Sequence, residues 1–252
     1  MNLGHLHEGL LLGRRQRFFA DVRFEDRPTA TASCEATAGD GPTVTAHCAN
    51  TGSMRSLLLP GTRALISPAA NPERKLAWDL QLLRLPTGAL ACVNTQLPNK
   101  IVAEALAAGR IPGIPARAQL HPEAVAAPGS RLDFRVELPA APHCWIEVKN
   151  VTLVEPDRPQ VAQFPDAVSE RALKHLRTLM DLRARGDRAV IFYLVNRTDA
   201  TSFAPASHID PAYARGLAEA LAAGVEALVG YTEISELDGQ WRVVLARVER
   251  FH

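Results

Sequence analysis

The spacing of hydrophobic and polar positions changes part-way along the chain. Up to about residue 94 the apolar residues come in short runs: 16–25 (QRFFADVRFE), 43–48 (TVTAHC), 62–67 (TRALIS), 77–85 (AWDLQLLRL) and 89–94 (ALACVN). Turn-forming residues separate them at Gly41-Pro42, Asn50-Thr51-Gly52, Pro60-Gly61, Pro68 to Pro72 and Thr87-Gly88. Short strands at this spacing predict a small barrel or sandwich. Residues 30–41 (ATASCEATAGDG) are small and polar and predict a hairpin loop.

Beyond this point the period lengthens. Residues 98–109 begin with Pro-Asn, place apolar residues at helical spacing and end in Gly, which predicts a helix. A short strand is predicted at 115–120. Over 131–138, Leu132, Phe134, Val136 and Leu138 face one way and Asp133, Arg135 and Glu137 the other. Over 143–153, Ile146 and Val148 oppose Glu147 and Lys149. Residues 166–185 predict a long helix, N-capped by Asp166 and stopped by Gly186. Val168, Leu173, Leu176, Leu179 and Met180 form its apolar face. The uninterrupted apolar run 189–195 predicts a central strand covered on both faces. A helix over 211–224 and strands over 225–233 and 241–248 complete an α/β pattern. The change of period divides the chain into a β unit, 1–88, and an α/β unit, 89–252.

Composition narrows the classes. The chain has 252 residues, 47% of them hydrophobic, and 28 Lys+Arg against 27 Asp+Glu give a net charge of +1. This excludes a disordered chain and a protein that binds nucleic acid by bulk charge. No apolar run reaches the ~18 residues of a membrane span, so no membrane partner is expected. The basic residues are mostly arginine; the lysines are Lys75, Lys100, Lys149 and Lys174. Where such a chain uses lysine, the choice can be chemical. Cys34, Cys48, Cys92 and Cys144 form no C-x-x-C pair, so buried thiols are expected rather than a disulfide scaffold or a zinc site. The first residues lack a positive region ahead of their short apolar stretch, which points to a cytoplasmic protein.

The richest candidate chemistry is Asp133 with Glu147-Val148-Lys149. The intervening Pro139, Ala140, Ala141 and Pro142 suit a hairpin turn that brings Asp133 beside Glu147. Residues two apart on a strand share a face, so Glu147 and Lys149 point together. Two hard carboxylates suit Mg²⁺ or Mn²⁺, and a lysine can exchange a proton where arginine cannot. Glu104, on the preceding helix, offers a third carboxylate. The same residues can equally form ordinary salt bridges on a surface hairpin. Arg171, Lys174, His175 and Thr178 are neighbours on one helix face. That face can simply be solvated, with Glu170 and Lys174 paired.

Several segments carry a resemblance. They are 47–54 (HCANTGSM), Pro60-Gly61, 74–78 (RKLAW), Val93-Asn94-Thr95, 130–134 (SRLDF), 146–153 (IEVKNVTL), 164–168 (FPDAV), Arg171, Lys174-His175-Leu176, Phe203, Pro205 and His208-Ile209-Asp210. In this order, over about residues 10 to 235, they resemble the sugar fermentation stimulation protein A family. The resemblance implies an N-terminal OB-like barrel and a C-terminal PD-(D/E)XK nuclease-like domain with a mixed central sheet. It also implies DNA binding and regulation of bacterial sugar, notably maltose, metabolism. On the nuclease pattern Asp133, Glu147 and Lys149 take the catalytic positions, with Asp133 and Glu147 the metal ligands and Glu104 the helix acid. Leu132 stands where that motif has proline. The 30–41 segment is longer than usual for the family, and 241–252 matches it poorly.

An OB barrel binds nucleic acid through a basic groove with aromatic platforms. The candidates are Arg14, Arg15 and Arg17 with Phe18 or Phe19, Arg55, Arg74 and Lys75 on loops, and the polar turn of His47, Asn50 and Thr51. Arg171 and Lys174 add to them from the second unit. Aromatic residues make up 6% of the chain, so phosphate contacts should dominate and binding should be salt-sensitive. Three functions remain open. One is a DNA-binding regulator with a nuclease-like metal site. Another is an active Mg²⁺-dependent nuclease on DNA or RNA. The third is a sensor or enzyme for a small phosphorylated ligand. The DNA partner can be single- or double-stranded, and a homodimer is compatible with each.

Overall fold

The computed structural model describes residues 1–25, 41–138 and 142–252. After β1 (Asn2–Gly4), five strands build a closed barrel: β2 (His7–Arg15), β3 (Phe19–Arg23), β4 (Thr43–His47), β5 (Arg63–Pro68) and β6 (Trp78–Arg84). They pair antiparallel in the order β4-β3-β2-β5-β6. A short parallel pairing, Ala46↔Trp78 and His47↔Asp79, joins β6 back to β4 and closes the barrel. This is the OB-like arrangement. Alternation drives it: Ala20 and Val22 of β3, Val44 and Ala46 of β4, and Leu80 of β6 turn into one core with Ile66 and Trp78. β2 and β3 approach closely, and only glycine fits at Gly9. A Cβ there would sit 2.7 Å from Val22 Cγ1 and 2.8 Å from the Arg23 carbonyl oxygen.

β7 (Leu90–Cys92) pairs antiparallel with β6. The second unit follows, with α1 (Pro98–Ala107), β8 (Gln119–Ala127), β9 (Ser130–Glu137), β10 (Cys144–Val151), β11 (Leu153–Val154), β12 (Val161–Phe164), α2 (Glu170–Ala184), β13 (Arg188–Val195), β14 (Ser202–Pro205), α3 (Pro211–Ala222), β15 (Glu226–Leu237) and β16 (Gln240–Phe251). Its main sheet runs β1-β16-β15-β13-β10-β9-β8, and β11-β12-β14 form a small second sheet. β10, β13 and β15 are mutually parallel while the outer strands are antiparallel, so the main sheet is mixed. α1 covers one face with Ile101, Val102 and Leu106 against Phe134, Ile146 and Phe192. α2 and α3 cover the other with Leu176, Leu179 and Leu217 against Ile191 and Tyr193. β13 is buried from Ala189 to Val195, as a strand covered on both faces must be.

The structure corrects several expectations. The sheets do not divide at 88/89. β7 takes up the hydrogen bonds of β6 and belongs to the barrel, whereas β1 pairs with β16, Asn2 opposite Arg242. The predicted strand 16–25 is a turn, with Gln16 and Arg17 at positive φ, followed by β3. β8 spans Gln119–Ala127 rather than 115–120; it tolerates Pro122 because it is the sheet edge. α2 begins later than expected. Ser169, not Asp166, is its cap, its hydroxyl accepting from Ala172 N at 3.1 Å, and Val168 is 73% exposed. The predicted loop 30–41, apart from Gly41, and the predicted turn, apart from Pro142, lie outside the described residues, as does Cys34. Cys48, Cys92 and Cys144 are buried free thiols, and burial pushes Cys92 and Cys144 up to about 12. No helix of the described residues is long and apolar enough to cross a membrane.

Candidate functional site

The β9–β10 ladder runs from Cys144↔Val136 to Ile146↔Phe134 and ends there. Asp133 and Glu147 are the next residues along each strand, at the point where the strands part. The Val148 backbone N–H, free of the ladder, donates to Asp133 Oδ2 at 2.7 Å. Asn99, in the first turn of α1, donates its Nδ2 to Asp133 Oδ1 at 2.7 Å. Glu147 and Lys149 share the face of β10 opposite Ile146 and Val148, under α2. Lys149 Nζ donates to Glu147 Oε1 at 2.6 Å and stands 3.2 Å from His175 Nδ1. His175 also hydrogen-bonds Glu147 Oε1. Glu147 is 4% exposed and His175 6%.

The two carboxylates are held in opposite electrostatic states. Burial, and then the nearby charge of Glu147, raise Asp133 to about 6 against the hydrogen bonds from Val148 and Asn99. Burial also pushes Glu147 upward. The His175 hydrogen bond and the Lys149 ammonium outweigh it, and Glu147 is held below the usual carboxylate range. A like-charge pair held partly out of solvent is what a divalent cation relieves, and the hard oxygen donors suit Mg²⁺ or Mn²⁺. Among the described residues no group of three or more His, Cys, Asp or Glu side chains could hold a metal. Such an ion would therefore complete its shell with water and substrate oxygens, as Mg²⁺ commonly does.

Asp133, Glu147 and Lys149 thus lie close together where β9 and β10 part, and Glu104 does not join them. It lies five residues beyond Asn99, about 140° around the helix. It is 57% exposed and meets the Met1 amino group at 2.5 Å. Asn99 occupies the helix side of the site instead. Asn99 was legible only as part of a helix start, and His175 only as a neighbour of Arg171 and Lys174.

The barrel candidates are largely engaged with the protein itself. Arg14 donates to the carbonyls of Asn50, Gly52 (2.9 Å) and Arg17 (2.8 Å), so its guanidinium braces the 50–53 turn. Asn50 is buried, donating to Val93 O and accepting from Gly52 N. Arg74 and His47 both meet Asp79, at 3.0 and 3.3 Å, and Arg55 pairs with Glu155. Arg15 pairs with Asp21 at 2.5 Å and lies over the Phe19 ring, while Phe18 is exposed. Thr51, Arg17 and Lys75 are exposed.

Comparison with known proteins places these features in one family. The model described as "SfsA N-terminal OB domain" matches residues 12–93, and "Sugar fermentation stimulation protein RE domain" matches 96–237. The sugar fermentation stimulation protein homolog of Geobacter sulfurreducens is 44% identical over 88% of each chain. That of Acidithiobacillus ferrooxidans is 43% identical over 93% of this chain and 94% of its own. The chain belongs to the sugar fermentation stimulation protein family. A solved family member, Pyrococcus furiosus SfsA in complex with Ca²⁺, superposes with a TM-score of 0.78 at 26% identity, covering 98% of this chain and 96% of that one.

In this family member α2 brings two further candidates close to the acid pair. Arg171 and Lys174 line a groove of about 560 Å³ whose wall includes His175, the residue that touches Glu147. The groove's other wall is the β8–β9 hairpin. Lys174 Nζ reaches Gly129 O at 2.9 Å, and the Ser130 and Thr178 hydroxyls meet at 2.9 Å.

Proposed function

We propose that this protein binds nucleic acid, DNA foremost, and holds a divalent cation, Mg²⁺ or Mn²⁺, on Asp133 and Glu147 in a site of nuclease type. One observation carries the reading: two carboxylates at the end of a strand pair, Asp133 half-buried and Glu147 buried, the latter bonded to the Lys149 ammonium. The Ca²⁺ in the Pyrococcus furiosus relative supports it, because Ca²⁺ takes the same oxygen donors. When bound, the cation lowers the pKa of a coordinated water and offsets charge on a phosphoryl oxygen. The chain supplies the rest. Asn99 and the Val148 N–H fix Asp133, and His175 fixes Glu147. Lys149 places a positive charge, able to give up or take a proton, beside Glu147. The regulatory role in sugar metabolism that the family resemblance implies is, on this reading, exercised through DNA binding.

A second reading, turnover of phosphodiester bonds, is favoured by one observation: Lys149 stands within hydrogen-bond reach of both Glu147 and His175. The deciding experiment combines Mn²⁺ calorimetry with cleavage assays on single- and double-stranded DNA and RNA. Wild type should bind Mn²⁺ and Asp133→Ala should not; a wild type that binds neither Mn²⁺ nor nucleic acid would sink the proposal. Under turnover, Lys149→Ala should lose about 10²-fold or more in rate. Cleavage that survives Asp133→Ala would come from a contaminant.

A further inference from the structure

The cations that could hold a phosphate backbone are unevenly placed. In the barrel, Arg15, Arg55, Arg63, Arg74 and Arg84 are paired with carboxylates, Arg14 is committed to backbone carbonyls, and the exposed Arg17 and Lys75 stand on separate turns rather than along one groove. A cation already neutralised must break its pair to take a phosphate. It therefore releases few counterions and contributes little to binding. The groove between α2 and the β8–β9 hairpin differs. Arg131 and Arg171 are exposed on its walls and form no ion pair among the described residues. Lys174 is exposed and bonds only to the Gly129 carbonyl. Glu123 is the one carboxylate on the lining, so three cations face one anion.

The groove is also built rather than incidental. Its walls are fastened by the Lys174–Gly129 and Ser130–Thr178 contacts, and its lining includes His175, which touches Glu147 and Lys149. A backbone laid along it would be separated from Glu147 by one side chain, His175. No Phe, Tyr or Trp lines it, and the one ring, His175, is buried and engaged with Glu147; the apolar part is Val125 and Ala127. It is therefore suited to sugar–phosphate contact and not to base stacking.

We propose that the nucleic-acid backbone binds in this groove, its phosphates on Arg131, Arg171 and Lys174, and that the barrel is not the main phosphate-binding surface. The proposal rests on the reading of the protein as a nucleic-acid binder and assigns that binding to a surface. It predicts sequence-tolerant binding whose salt dependence originates in the groove.

The test is the slope of log affinity against log salt, from 50 to 200 mM, with fluorescent single-stranded and duplex DNA. Wild type is compared with Arg131→Ala/Arg171→Ala and with Arg17→Ala/Lys75→Ala. All four residues are exposed, so both variants should fold, and retained Mn²⁺ binding verifies this for the groove variant. The groove variant should lose about 1.8 from the duplex slope, two phosphate contacts at ~0.9 each, and the barrel variant should keep the wild-type slope. A groove variant with the wild-type slope, or an equal loss in the barrel variant, overturns the assignment and leaves nucleic-acid binding standing. A wild type that binds no DNA at 50 mM salt overturns the parent reading instead.

Discussion

Asp133 is a carboxylate kept where burial opposes its charge. Its pKa is raised from 3.8 in the unfolded chain to about 6 in the folded one. A raised pKa favours folding while the group is protonated, and that contribution is lost as pH rises through the folded value. The metal-free protein should therefore lose about 2–3 kcal/mol of stability from this group between pH 4 and pH 7. Asp133→Asn removes the titration and keeps the shape, because the Asn99 amide can turn over to accept from the new one. In EDTA the variant should match wild type near pH 4 and exceed it by about 2–3 kcal/mol at pH 7.5 in urea melts. Mg²⁺ should narrow or reverse the gap, since it stabilises only the protein that binds it. Equal stability at every pH would mean the Asp133 charge is not strained. His175 makes a second case at this scale. It touches Glu147 and Lys149 without being required as a ligand. His175→Phe should weaken Mn²⁺ about 10–100-fold by calorimetry, the usual cost of losing a group that orients a ligand.

At the scale of elements, the β8–β9 hairpin owes its position to α2. Thr178→Val deletes the partner of the buried Ser130 hydroxyl. It should cost about 1–3 kcal/mol and speed amide exchange in β8 and the start of β9, while β10 and β13 remain protected; unchanged exchange there would show that the hairpin stands by itself. How far such elements could be read from the sequence depended on what shaped them. β9, β10 and β13 were legible because alternation, or its absence on a strand covered on both sides, follows directly from which faces are buried. That alternation also placed Asp133 beside Glu147 and Lys149. β2 was hidden because its Leu10-Leu11-Leu12 run does not alternate; a bulge between Leu11 and Gly13 shifts the register. β8 was misplaced because Pro122 reads as a break unless the strand is known to be an edge. Glu104 failed on helix phase. Asn99 and His175 act only through contacts between elements distant in sequence, which no local period records.

For the whole molecule the question is whether barrel and mixed sheet melt as one. They share hydrogen bonds through β7 and the segment after β13. Cys92 N donates to Asn196 O at 2.8 Å, Thr198 N to Leu90 O at 2.9 Å, and Leu90 N to Thr198 Oγ1 at 3.0 Å. Ser53 of the barrel caps this junction by donating N–H and O–H to Asp166 Oδ2. Arg197 lies at its centre, 4% exposed. Its guanidinium is bidentate to Asp199 at 2.7 and 2.8 Å and reaches Thr152 O at 2.7 Å and Ser56 Oγ of the barrel at 3.4 Å. A guanidinium shared between two units couples their unfolding, so wild type should melt in a single calorimetric transition. Arg197→Ala removes the shorter of two hydrogen bonds to the Thr152 carbonyl, Ser56 Oγ keeping the other, and leaves the half-buried Asp199 unpaired; it should cost about 1–3 kcal/mol. Arg197→Lys should rescue little, because an ammonium cannot reproduce the fork. The alanine variant should melt in two steps, one for each unit. The acid pair and the cationic groove both belong to the unit built on the mixed sheet. Below the first step, therefore, the variant should keep wild-type Mn²⁺ affinity and the wild-type salt slope for DNA. Loss of both together with the barrel would mean that the metal and phosphate sites depend on the junction itself.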